Sequence, residues 1–206
     1  VDSYTYLDGF GRTIQTKQEA EGNSWITSDT VYNNEGKVQK QSLPYFSSAS
    51  TKSAATTTTV LFTNFTYDPL QRVASQVNAV GTTVYQYDDW RKTVTDPLLR
   101  SNYYYSDAFG NLSKVTESMG LIDYHTLYEY DANNKLTKIT DANGNIRNFT
   151  YDLLGRQLTA EDIHAPADAT FGIYSYQYDD QGNVIQKTIP SGTVVTYTYD
   201  NLNRVK

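Results

Sequence analysis

The feature that most limits what this chain can fold into is a short phrase repeated along it. Tyr151-Asp152-Leu153-Leu154-Gly155-Arg156, Tyr178-Asp179-Asp180-Gln181-Gly182-Asn183 and Tyr199-Asp200-Asn201-Leu202-Asn203-Arg204 share one grammar. An Asp that opens a type I turn accepts a hydrogen bond from the turn's own backbone, and a Gly three residues later takes a positive φ at no steric cost. Anchored on that Asp, the phrase returns at Asp8, Asn33 in place of Asp, Asp68, Asp88, Asp107, Asp131, Asp152, Asp179 and Asp200. The separations run from 19 residues, Asp88 to Asp107, to 35, Asn33 to Asp68. A period near twenty residues over almost the whole chain marks an array of repeats rather than one closed core.

Six anchors follow an aromatic pair in register: Phe65/Tyr67, Tyr85/Tyr87, Tyr128/Tyr130, Phe149/Tyr151, Tyr176/Tyr178 and Tyr197/Tyr199. Residues two apart on a strand share a face, so these rings are expected to stack as a ladder on one side of a sheet. Tyr4/Tyr6 and Tyr103/Tyr105 stand one residue further from their Asp, which predicts a bulge or an altered turn at those two places. A second kind of turn is expected between anchors, at Asp96, at Glu117-Ser118-Met119-Gly120, at Asp141 with Gly144, and at Pro190-Ser191-Gly192-Thr193. The turn positions that carry the array are Asp8 with Gly11, Asp68, Asp107 with Gly110, Asp131, Asp141 with Gly144, Asp152 with Gly155, Asp179 with Gly182, and Asp200. Asp88-Asp89-Trp90-Arg91 lacks the Gly and reads as a shortened, degenerate turn.

Tyr, Thr and Val favour strands, Gly, Asn and Asp favour turns, and no apolar period of 3.6 persists for three turns. The fold class that follows is all-β, a meander of antiparallel hairpins with strands of about five to seven residues. Trp25-Ile26-Thr27 reads as a strand that buries its indole. Loop insertions are expected at about 47–59, where the chain is almost only Ser, Ala and Thr, and at about 161–173, which is Ala-rich with a Pro. The first reads as an ordinary surface loop, or as a flexible linker or partner contact.

Chemistry is sparse in the sequence. The net charge of -6, without a Lys/Arg cluster, argues against a nucleic-acid partner. Absent Cys excludes disulfide and thiol chemistry, and no apolar run approaches membrane-spanning length. His125 and His164 are too few for a zinc site of ordinary composition. The segments beginning at Asp131 and Asp141 lack the distal Glu of a calcium loop. Tandem acids at Asp88-Asp89 and Asp179-Asp180 sit on turns, where neighbours point apart instead of sharing the cleft a glycosidase needs. Neither a cofactor, a metal site nor a catalytic residue is expected, and the chain reads as no enzyme.

The recurrent Tyr-Asp-x-x-Gly-Arg phrase resembles the YD repeats of the RHS-repeat family, over nearly the entire chain. More narrowly, Asp8-Gly9-Phe10-Gly11-Arg12 with Gln15 and Lys17, followed by Gln41-Ser42-Leu43-Pro44-Tyr45-Phe46, resembles the repeat region of the B components of bacterial insecticidal toxin complexes. The resemblance implies a bacterial protein, secreted or at the cell surface, whose repeats spiral into a hollow shell around a C-terminal toxin polypeptide. It also implies a self-cleaving aspartic region beyond the repeats and a pore-forming partner component that later releases the cargo. With repeats running from Tyr4 to the last residues, residues 1–206 are expected to be a piece of a longer wall, prone to self-association through open sheet edges. The alternative reading is a carbohydrate or cell-surface binding module that uses exposed tyrosines.

Overall fold

The computed structural model describes residues 1–54 and 60–206. Its strands are β1 (Ser3–Leu7), β2 (Thr13–Ala20), β3 (Ser24–Tyr32), β4 (Val38–Ser42), β5 (Tyr45–Ser47), β6 (Phe62–Tyr67), β7 (Val73–Asn78), β8 (Gly81–Asp88), β9 (Arg91–Thr95), β10 (Ser101–Ser106), β11 (Leu112–Met119), β12 (Ile122–Tyr130), β13 (Leu136–Thr140), β14 (Ile146–Tyr151), β15 (Gln157–Glu161), β16 (Ile173–Tyr178), β17 (Val184–Thr188) and β18 (Val194–Thr196). The described residues add one 3-10 turn, Glu21–Asn23. The chain is all-β as its sequence implies, although strand lengths spread from 3 to 9 residues.

Two units divide the chain, Val1–Gln86 with Thr93–Ser101, and Tyr87–Lys92 with Asn102–Lys206. In the first, β1, β2 and β3 pair in sequence, and β3 then shares its length between two partners. Its Thr30–Tyr32 end pairs with β4 and its Trp25–Thr27 end with β5, so β4 and β5 act as one strand broken at Leu43-Pro44. The meander resumes through β4–β6, β6–β7 and β7–β8. In the second unit each strand from β10 to β18 pairs with the next, always antiparallel.

The turns are more uniform than their sequences suggest. At Asp152 the backbone N–H donates to the Arg156 carbonyl at 2.9 Å, and the Gly155 N–H donates to the Asp152 carbonyl at 2.9 Å. The same two bonds close the turns at Asp8, Asn33, Asp68, Asp96, Asp107, Asp131, Asp141, Asp179, Ile189 and Asp200. The residue three after the opener sits at positive φ in each, as Gly155 (φ 77) or Gly144 (φ 81), but also as Gln71 (φ 64), Leu99 (φ 63), Asn134 (φ 59) and Asn203 (φ 57). The turns at Asp96, Asp141 and Ile189 are therefore not a second kind of turn.

What separates the two sets is register. Beside the turn at Asp152 the pairing slips between Thr150 and Tyr151, whereas beside the turn at Asp141 it runs without slippage from Thr140↔Ile146 to Ile139↔Arg147. A slip of one residue puts successive side chains on opposite faces relative to the partner strand, so the bulge decides which residues share a side. The bulges expected at Tyr6 and Tyr105 are present, but they recur before Asn33, Asp68, Asp131, Asp152 and Asp179 and so do not mark exceptions. The turn expected over Glu117–Gly120 is instead a two-residue connection at Gly120-Leu121, with Met119 facing Ile122 and Gly120 at φ 72. The turn after Asp88 is likewise cut to Asp89-Trp90, with Asp89 at φ 46.

Among the described residues the only buried hydrophobic side chains are Val60 and Ala160, while Gln15, Lys17, Thr27, Asp29, Ser42, Thr93, Thr116 and His164 are buried polar ones. Apolar turn tips such as Phe10, Leu70, Phe109 and Leu153 stand in solvent. Trp25 is half-buried rather than interior, with its ring 5.2 Å from that of Tyr4. Sheets built this way lean on hydrogen bonds where a globular domain leans on an apolar core.

The stretch beyond β5 shows the same economy. The Lys17 ammonium donates to Ser47 Oγ at 3.0 Å, the Ala49 carbonyl at 2.7 Å and Ser53 Oγ at 3.1 Å. The Gln15 amide pairs with the Ser53 backbone in both directions, and the Tyr6 hydroxyl donates to the Ser50 carbonyl. Residues 48–54 of the expected insertion are thus fastened by polar side chains, while 55–59 lie outside the described residues. The second expected insertion narrows to 162–172, because Glu161 ends β15 and Ile173 begins β16.

Candidate functional site

The recurrent site of this chain is the seam between one repeat and the next. Tyr151 lies immediately before the turn aspartate Asp152 and reaches back across the sheet, where its hydroxyl donates to the Leu136 carbonyl at 2.8 Å. Leu136 is the first strand residue after the turn opened by Asp131. The ladder between β13 and β14 ends at Lys138↔Asn148, so no backbone N–H in that ladder meets the Leu136 carbonyl. A carbonyl left without a donor is costly, and a phenol is long enough to supply one from the neighbouring strand.

This clasp repeats at the same places relative to the turns. Tyr32 donates to Thr13 at 3.0 Å, Tyr67 to Val38 at 2.8 Å, Tyr130 to Leu112 at 3.0 Å, Tyr178 to Gln157 at 2.7 Å and Tyr199 to Val184 at 2.9 Å. Each acceptor is the fifth residue after its own turn opener, at the point where its ladder runs out. Burial, and then the preceding turn's carboxylate, holds the Tyr130 and Tyr151 hydroxyls above the ordinary tyrosine range, with Asp107 acting on the first and Asp131 on the second.

The turn aspartate fixes where the clasping tyrosine stands. Asp152 Oδ1 accepts from the Leu154 and Arg156 N–H groups, both at 2.9 Å, and Oδ2 accepts from Arg156 Nε at 2.6 Å. Asp8, Asp68, Asp96 and Asp200 make the same set with Arg12, Arg72, Arg100 and Arg204, whereas Asp107, Asp141 and Asp179 take an Asn amide at that place. Asp131 keeps only the backbone pair, from Asn133 and Lys135, among its hydrogen bonds from the turn. The backbone N–H of the residue four on is the main cause that holds Asp8, Asp96, Asp152 and Asp200 below the usual carboxylate range. For Asp141 and Asp179 the Asn amide leads, and Asp68 and Asp107 are lowered although burial, the largest influence on them, opposes it.

The residue that closes one turn also touches the next repeat. Arg156 lies over the Tyr178 ring at 4.8 Å and donates to the Asp179 carbonyl at 2.9 Å. Arg12 covers the Tyr32 ring at 4.4 Å. Where Asn takes that place, Asn111 donates to Asn134 at 3.0 Å and Asn183 to Asn203 at 3.1 Å.

All twelve ladder positions, Phe65, Tyr67, Tyr85, Tyr87, Tyr128, Tyr130, Phe149, Tyr151, Tyr176, Tyr178, Tyr197 and Tyr199, are half-buried. Eight of them, Tyr67, Tyr85, Tyr130, Phe149, Tyr151, Tyr176, Tyr178 and Tyr199, have a hydroxyl or a ring face engaged by a partner other than another ring. Besides the clasps, Tyr85 donates to Gln76 at 3.2 Å, Arg147 covers Phe149 at 5.2 Å, and Lys187 lies 5.8 Å from the Tyr176 ring centre. The clasp partners are what sequence reasoning missed. Their signal was present in two fixed positions, the Tyr just before one turn opener and the acceptor five residues after an earlier one.

Among the described residues no cluster of His, Cys, Asp and Glu could hold a metal ion. The RHS Repeat family matches residues 130–162 and 178–206, and a domain of unknown function, DUF6443, matches residues 1–88. No curated protein sequence matches the chain. Among solved structures the chain is similar to the crystal structure of TcdB2-TccC3-Cdc42, with a TM-score of 0.72 at 18% identity over 98% of this chain and 12% of that one. It is similar to TcdB2-TccC3 without the hypervariable C-terminal region, with a TM-score of 0.58 at 15% identity over 96% and 13%. The Photorhabdus luminescens Tc holotoxin pore gives a TM-score of 0.55 at 13% identity over 98% and 18%. At these identities the likeness is one of fold, and the chain spans less than a fifth of each of these three structures.

Proposed function

We propose, on the premise that this chain is an RHS-repeat protein, that residues 1–206 are a structural, non-catalytic stretch of a hollow wall enclosing a C-terminal toxin polypeptide. The observation that carries this reading is the clasp. Six phenols, each just before a turn opener, bind six carbonyls, each five residues after an earlier opener, so each repeat completes the hydrogen bonding of the one before it and the array extends without a separate core. The fold likeness to TcdB2-TccC3 structures, and to a Tc holotoxin pore, supports a toxin as cargo and a pore-forming component as the partner that takes it up. Such a wall works passively, by containing and protecting, and acts as part of a secreted or cell-surface bacterial assembly. A glycan-binding face is less well supported, because the clasped phenol hydroxyls and several ring faces already have partners.

Small-angle scattering from the longest natural chain carrying this segment tests the wall. A hollow particle is expected, with a scattering minimum and a pair-distance maximum shifted to long distances. A solid globule or an extended rod would overturn the reading.

A further inference from the structure

The strap between β15 and β16 is closed by a histidine that the repeat grammar does not require. His164 is 8% exposed and lies flat on Phe171, with ring centres 3.7 Å apart and planes 5° apart. Its backbone bonds Ile146 of β14 in both directions, at 2.7 and 2.9 Å. Nδ1 lies 2.9 Å from the Ala165 carbonyl and Nε2 lies 3.2 Å from Glu161 Oε2. A carbonyl only accepts, and so does an ionised carboxylate; both ring nitrogens must donate, which makes the ring an imidazolium. The same Glu161 oxygen accepts from the Asn148 N–H at 2.9 Å and its amide at 2.6 Å, so the histidine joins a fully used acceptor.

The charged groups around the ring agree with that state. Burial, the largest influence, opposes the charged form, but the Ala165 carbonyl, Glu161 from β15 and Asp168 from within the strap together outweigh it. From β14 it meets the Ile146 backbone, and Arg147, the charged residue beside that contact, turns to the Phe149 ring. Asp162 sits at the foot of the strap, its N–H donating to the Gly172 carbonyl at 2.8 Å.

We propose that residues 162–172 are a pH-released latch, held against β14 by the doubly donating His164 ring and loosened when that ring loses a proton. One N–H leaves with the proton, so either the Ala165 or the Glu161 bond becomes two acceptors facing each other. Release frees the Ile146 N–H and carbonyl, a stretch of strand edge able to take another strand. The sign follows from the net rise in the His164 pKa: the latch is fully present below about 6.5, the ordinary histidine value, and is lost as pH rises through the higher folded value. This inference does not depend on the wall reading.

Hydrogen exchange of the full chain, corrected for the intrinsic rate, tests it together with an NMR titration of the His164 ring. Protection over 162–172 and at Ile146 is expected to fall about tenfold from roughly pH 6 to roughly pH 9, with the midpoint of the ring titration. The turn at Asp107 should keep its protection, which separates local release from general unfolding. His164→Phe keeps the ring on Phe171 and should give fast, pH-independent exchange. Glu161→Gln keeps an acceptor and should move the midpoint downward. Constant protection across the range in the wild type, or a midpoint unmoved in Glu161→Gln, would overturn the latch.

Discussion

The hydroxyl of Tyr151 and the backbone carbonyl of Leu136 are 2.8 Å apart, joining two hairpins at the point where their ladder has stopped. Removing only the hydroxyl leaves that carbonyl without its donor and keeps the ring. Tyr151→Phe should therefore destabilise by about 1 kcal/mol in urea denaturation, the usual net value of one hydrogen bond. Tyr151→Ala should cost more, about 2 kcal/mol, yet less than truncating a fully buried aromatic, because the ring is half-buried. Equal midpoints for Tyr151→Phe and wild type would show that water replaces the phenol.

The turn acid can be dissected with Asn, because Asn33 already opens one turn and accepts from the Glu35 and Lys37 N–H groups at 3.0 and 2.8 Å. Asp152→Asn should keep the two bonds to Oδ1 and lose the ion pair with Arg156, whereas Asp152→Ala should lose all of them. Thermal midpoints should fall in the order wild type, Asn, Ala. An Asn variant as unstable as the Ala variant would mean that the ion pair, not the carboxyl oxygen facing the backbone, holds the turn.

Acid should unfasten the turns together. Asp8, Asp68, Asp96, Asp107, Asp141, Asp152, Asp179 and Asp200 all ionise below their ordinary value when folded. A depressed folded pKa gives stability that is present above the unfolded value, about 3.9, and is lost as pH falls through the folded one. The thermal midpoint should drop steeply below about pH 4. A midpoint that stays level there would contradict the role assigned to these carboxyls.

Glycines separate strain from collision. Gly110 stands at φ 85 with open space where a Cβ would go, so Gly110→Ala should cost about 1 kcal/mol from backbone strain alone. Gly172 needs no positive φ, but a Cβ there would lie 2.4 Å from Pro190 Cβ and 2.5 Å from Asp162 Oδ2. Gly172→Ala should cost more, about 2 kcal/mol, by overpacking against a rigid ring. The reverse order in denaturant midpoints would refute this.

The turns and strands were legible because their causes are local: Asp, Gly and alternation act within a few residues, and Asp131, Asp152 and Asp179 open turns where the sequence places them. The bulges were half legible. They were expected only at Tyr6 and Tyr105, since a register slip depends on the partner strand as much as on the strand itself. Lys17 binding Ser47, Ala49 and Ser53, and His164 bound between Glu161 and Ala165, were hidden because they depend on contacts the chain makes only after folding. Low apolar content over 48–54 suggested a loose loop, and buried polar side chains supply there the fixing that an apolar core would otherwise give.

A wall around a cargo, as proposed, would shield that cargo from protease until the repeats unfold. The most direct measurement is intact mass with protease protection on the longest natural chain carrying this segment, purified under native conditions. A C-terminal polypeptide that is cleaved, copurifies with the repeats and survives protease until the repeats are denatured is the predicted result. A single uncleaved chain in which protease spares nothing beyond the repeats themselves would contradict it.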